Sequence, residues 1–174
     1  MKKGLNLNKA FFIIGPESSG TRMMTQAFIA LGAYGDGGHF QKLTKEGYGA
    51  GHPVIAVRRS VPHGTKMPNI TQVIRELKKH NYEVIPIVIV RDKDKCAASQ
   101  VKNGHAKTLQ EAKDSIKRSV NFIHSHLSNF PNIWPHFIQY EPFVKKKRIR
   151  DCFFTRFGFE HPAMEFYDGN AKYK

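Results

Sequence analysis

The stretch FFIIGPESSGTRMMTQAFIAL, residues 11–31, decides the fold. Its leading residues, Phe11, Phe12, Ile13 and Ile14, form the unbroken apolar run of a strand buried on both faces. A turn of small residues follows at 15–20, and then Met23, Met24, Ala27, Phe28 and Leu31 recur at helical spacing. Strand, glycine turn and helix in that order aim backbone N–H groups and a helix N-terminus at an anion. The interval from Gly15 to Gly20 fits the front of G-x-x-x-x-G-K-[ST], the loop that cradles nucleotide phosphates. Thr21 then stands where that motif's lysine reaches the β- and γ-phosphates, and Arg22 where its hydroxyl holds Mg²⁺. A fixed cation at the metal position disfavours the metal. Residues Ser18, Ser19, Gly20, Thr21 and Arg22 therefore read as a cradle for a phosphate-like anion, held by amides and a guanidinium without Mg·ATP.

Outward from this loop, strand and helix patterns alternate. Strands are expected at 53–57, 83–90 and 136–140, and helices at 69–80, 93–103, 108–127 and 142–157. Asn81, Gly104 and Gly158 read as helix stops. Asp92 reads as a cap, and Thr108 with Glu111 as a capping box. The strand at 53–57 runs into RRSVPHG and is stopped by Pro62 and Gly64, while Pro86 inside EVIPIVIV predicts a local break in pairing. The glycine-rich segment 32–51 has no sustained period and reads as loop. The alternation argues for an α/β fold with a mostly parallel sheet.

The 174 residues suit one domain, 1–174. No apolar run approaches a membrane span, and the N-terminus MKKGLNLNKA lacks the apolar core of a signal peptide. Cys96 and Cys152 form no metal or disulfide pattern and read as reduced thiols of a cytoplasmic protein. The net charge of +14 favours anionic partners of any kind, nucleic acid included. The run 145–148 reads as a solvated helix face, the phenylalanines as core, and Trp134 as core or turn packing.

A second segment sharpens the first. Arg91 follows directly on the apolar strand that ends at Val90, and Ser99 lies eight residues further on. In an open α/β sheet ligands bind outside the carboxyl ends of strands, so Arg91 is placed to grip an anion and Ser99 to add a hydroxyl. An altered phosphate loop plus Arg-x₇-Ser resembles the sulfotransferases that use 3′-phosphoadenosine-5′-phosphosulfate (PAPS). IQYEPFV (138–144) is similar to that family's strand-then-YEdLv stretch, and FFTRFGFEHP (153–162) to its later helix end. The resemblance implies a three-layer α/β/α domain of the P-loop NTPase type. It also implies that residues 16–22 wrap the 5′-phosphosulfate while Arg91 and Ser99 take the 3′-phosphate of PAPS or of its product PAP. Two departures stand out. The family's loop cation is Ser18 here, with Arg22 as a substitute. Alignment of the family's Lys-Thr-His-x-Pro motif on Pro62 puts Arg58 at the lysine and Ser60 at the histidine, with His63 displaced past the proline.

Sulfuryl transfer to a hydroxyl or amine needs in-line positioning, cations around the sulfonate, and a base, and it needs no metal. The resemblance makes His63 the first candidate base, with Arg58 and Arg22 as cations and His39 as the next base; His52, His105 and Glu46 are further options. The expected partners are the nucleotide sulfate donor and an acceptor small enough for a compact pocket or one shared with a second chain. Two other functions compete: a divergent P-loop nucleotide kinase or nucleotide-binding protein, and a basic nucleic-acid-binding accessory protein.

Overall fold

The computed structural model describes residues 8–35 and 51–171. The elements run β1 (Asn8–Pro16), α1 (Thr21–Ala30), β2 (Tyr34–Gly35), β3 (Val54–Val61), α2 (Ile70–Lys79), β4 (Tyr82–Val90), α3 (Lys93–Lys102), α4 (Leu109–Leu127), β5 (His136–Gln139), α5 (Tyr140–Lys145) and α6 (Lys147–Thr155). The strands pair in the order β2-β3-β1-β4-β5, and every pairing is parallel. Helices cover both faces, which makes a three-layer α/β/α domain.

Alternation along the central strands sorts the core into two layers. Phe12, Ile14 and Val57 pack with Ile74 and Leu77 of α2 and Ile123 and Leu127 of α4. Phe11, Ile13, Ile87 and Ile89 pack on the other face with Met24 and Phe28 of α1, Phe143 of α5 and Phe154 of α6. Phe11 stacks on Phe28 with ring centroids 4.1 Å apart. The expected phenylalanine core is therefore present.

The helix caps follow from side-chain chemistry. Asn69, Asp92 and Thr108 each accept a hydrogen bond from the backbone N–H three residues on. Glu111 completes the reciprocal motif one residue early, taking the Lys107 N–H at 2.8 Å. Asn81, Gly104 and Gly158 stop their helices at positive φ.

Four expectations are corrected. The segment 32–51 is not all loop, because Tyr34 and Gly35 form a short edge strand against Ile55 and Ala56. Gly35 is required there: a Cβ would lie 2.0 Å from the Ala56 carbonyl oxygen. Pro86 causes no break, since it stays in register opposite Phe12. The other flank of β4 is paired with β5 only from Ile87 onward. Tyr140 heads α5 instead of ending β5, and the helix expected at 142–157 is two helices. Lys146 between them is extended, at φ −112° and ψ 105°, and Arg150 Nη1 donates to the freed carbonyls of Phe143 (2.9 Å) and Val144 (2.8 Å).

Candidate functional site

β1 lies between β3 and β4, so the segments leaving all three strands emerge side by side at one edge of the sheet. The chain runs to one side of β1 for β2 and β3 and to the other for β4 and β5, and such a switch point opens a crevice. A cleft of about 580 Å³ lies there. Ser18, Gly20, Thr21 and Arg22 line it from the loop and α1, Arg58 and His63 from β3 and its exit, Arg91 from the exit of β4, and Ser99 from α3. Residues up to 81 positions apart in sequence are thus brought together.

The loop takes two left-handed residues, Ser18 at φ 64° and Gly20 at φ 107°. Gly20 is the N-cap of α1, whose first turn has neither a side-chain cap nor an acidic residue. A Cβ on Gly20 would meet the Tyr140 ring at 2.6 and 2.8 Å, so α5 presses on the loop from behind. Ser19 does not join the cleft wall. Its N–H donates to the Pro16 carbonyl at 3.1 Å, and its fully buried Oγ, turned toward Gly15, has no hydrogen-bond partner among the described residues.

Arg91 is bound into the scaffold. Its Nη1 donates to the Ser18 carbonyl, its Nε donates to Asn170 Oδ1 at 2.8 Å, and Nη2 donates to the same oxygen. The guanidinium also lies over the Tyr140 ring, 4.9 Å from its centroid. Asn170, itself 1% exposed, gives Nδ2 to Glu141 Oε1 at 2.8 Å, and Glu141 Oε1 also accepts from the Asp92 N–H at 3.0 Å. Tyr140 Oη accepts from the Gly169 N–H at 3.0 Å. Burial pushes the Tyr140 phenol above its usual pKa, against the opposing pull of that Gly169 N–H.

Ser99 is buried, and Asn103 one turn further along α3 reaches both Ser99 Oγ and Ser18 Oγ at 3.4 Å. Arg58 and Arg59 are both buried but sit on opposite faces of β3, opposite Ile13 and Ile14. Arg58 looks into the cleft, and Arg59 Nη1 donates to the Arg58 carbonyl at 2.6 Å. His63 is exposed at the rim in a turn closed by two backbone hydrogen bonds with Lys66. His52 stands before β3, at the opposite sheet edge, stacked on Tyr34 at 3.8 Å. His39 and Glu46 lie outside the described residues.

The sequence reading passed over Glu17, Asn103, Tyr140, Glu141 and Asn170. Asn103 is the one with a local signal, its four-residue offset from Ser99 on a helix. Trp134 is not packed away: it is 80% exposed and borders an apolar groove between α4 and β5. Cys96 is buried beneath the loop, with its thiol pushed up to about 12 by desolvation, and Cys152 is exposed. The basic run 145–148 is exposed, with Lys145 paired to Asp168 and Lys147 to Asp151. Among the described residues no cluster of three His, Cys, Asp or Glu side chains is arranged to hold a metal ion, and no helix is long and apolar enough to cross a membrane. No protein-family model and no curated protein matches the chain.

Proposed function

We propose that this chain is a PAPS-dependent sulfotransferase of P-loop-like fold, moving a sulfuryl group to a hydroxyl or amine acceptor without a metal ion. The observation that carries this reading is convergence. Arg91 and Ser99, matched to a 3′-phosphate by resemblance, line the same cleft as Ser18, Gly20, Thr21 and Arg22 of the altered phosphate loop. An uncapped helix N-terminus at Thr21 offers N–H groups to the 5′-phosphosulfate. Arg22 and Arg58 supply fixed positive charge near the sulfonate oxygens, where preorganised charge lowers the barrier most. Arg91 reaches a 3′-phosphate by exchanging the Asn170 carboxamide oxygen for phosphate oxygens, a charge-assisted hydrogen bond in place of a neutral one. The acceptor enters beside His63 and gives its proton to a base at the cleft mouth.

The direct test is release of PAP from PAPS by the purified protein, with water and simple phenols as acceptors and EDTA present. Titration with PAP, Mg·ATP and a DNA oligonucleotide accompanies it. Tight PAP binding with PAP release supports the reading. Preference for Mg·ATP supports a nucleotide kinase, and preference for the oligonucleotide supports a nucleic-acid-binding protein.

A further inference from the structure

An anion-binding loop is a costly place for a buried carboxylate, yet residue 17 is glutamate and its side chain is 7% exposed. Its partners explain how it is held. Oε1 accepts from the Gly64 N–H at 2.8 Å, in the turn that leaves β3. The Glu17 carbonyl accepts from Gln100 Nε2 at 2.8 Å and from the Cys96 thiol at 3.4 Å, which fixes the loop to α3. That leaves Oε2, which faces His105 Nδ1 at 3.7 Å.

His105 is positioned by its backbone. Gly104 at φ 73° turns the chain out of α3, and the His105 N–H returns to the Gln100 carbonyl at 2.8 Å. The side chain is exposed and lines the cleft that holds Gly20, Arg58 and Arg91. A buried carboxylate that hydrogen-bonds one ring nitrogen fixes the tautomer and turns the other nitrogen outward.

We propose that His105, oriented by Glu17, takes the acceptor's proton, with Glu17 as its positioning residue; this rests on the sulfotransferase reading above. As the acceptor oxygen bonds to sulfur, the bond from sulfur to the donor's phosphate oxygen breaks and its electron pair leaves with PAP. The acceptor's proton passes to His105 Nε2 and then to water. The Nδ1–Oε2 gap closes to a hydrogen bond when the cleft is filled, as catalytic contacts commonly tighten on substrate binding.

The test has an arm independent of turnover. In ¹⁵N imidazole spectra of the PAP-bound protein, neutral His105 is expected as the Nδ1–H tautomer, changing to Nε2–H in Glu17→Gln. An Nε2–H ring in the PAP-bound unmutated protein overturns the pairing. In the second arm PAPS is the probe and water the acceptor. His105→Ala is expected to slow PAP release roughly 10²-fold, with PAP affinity within about twofold of the unmutated value and partial rescue by added imidazole. Full PAP release by His105→Ala, or a larger loss in His63→Ala, overturns the base role. A protein that binds PAP but releases none from PAPS overturns the sulfotransferase reading and the base role together, and the tautomer then judges the pairing alone.

Discussion

Asn170 Oδ1 accepts from Arg91 Nε at 2.8 Å across 79 residues of sequence, and its Nδ2 donates to Glu141. One buried carboxamide thus ties the tail at 167–170 to the exits of β4 and β5. Because Arg91 also holds the Ser18 carbonyl, the loop after β1 and the tail share one guanidinium. Arg91 is therefore both a candidate anion ligand and a structural tie, and an Arg91→Ala variant reports on both at once.

Asn170→Ala isolates the structural share. It strips partners from Arg91 and Glu141 in a buried place, and such losses cost about 1–3 kcal/mol. Urea denaturation is expected to show a lower midpoint with an unchanged slope. An unaltered midpoint would mean the tail does not hold the site together.

Gly20→Ala should destabilise more than Gly32→Ala. Both positions have positive φ, which costs alanine about 1–2 kcal/mol. Gly20 adds a clash, because a Cβ there meets Tyr140, while one at Gly32 meets nothing within 4 Å among the described residues. Overpacking of that kind costs roughly another 1–3 kcal/mol. Equal losses in the two variants would contradict the packing of α5 against the loop.

The two cysteines should differ in reactivity. The buried Cys96 thiol, pushed up to about 12, stays protonated at mildly alkaline pH, whereas Cys152 is exposed. Mass spectrometry after brief iodoacetamide treatment should find Cys152 modified and Cys96 spared until the protein is unfolded. The sign of the linked stability effect follows from the raised folded pKa. The contribution is complete below the unfolded value near 9 and is lost as pH climbs toward 12.

PAP binding should persist in excess EDTA, because Arg22 occupies the position where a magnesium-binding hydroxyl would stand in an ATP-type loop. Abolition of binding by EDTA would point to a metal-dependent nucleotide site.

How much of this was legible follows from the range of the forces involved. The strands FFII and EVIPIVIV were readable because burial on both faces leaves an unbroken apolar run. The capped starts of α3 and α4 were readable because Asp92 and Thr108 bond within one turn. The division between α5 and α6 was not, since apolar spacing continues from Phe143 to Phe153 across Lys146 and the break is held by Arg150 reaching back. Within the cleft, the glycine spacing and the Arg-to-Ser interval were visible. The contributions of Glu17, Tyr140 and Asn170 were not, because each acts through partners far away in sequence and none sits in a periodic pattern.

The central claim is that the cleft is built for a nucleotide carrying a 3′-phosphate, and calorimetric titration with PAP and with ADP tests it most directly. A charge-assisted contact of about 1.5–3 kcal/mol to that phosphate corresponds to PAP binding at least about tenfold more tightly than ADP. Ser99→Ala should reduce the ratio while leaving the denaturation midpoint nearly unchanged, and Arg91→Ala should abolish it while also lowering the midpoint. Equal affinity for PAP and ADP in the unmutated protein would contradict the assignment of Arg91 and Ser99, and with it the sulfotransferase reading.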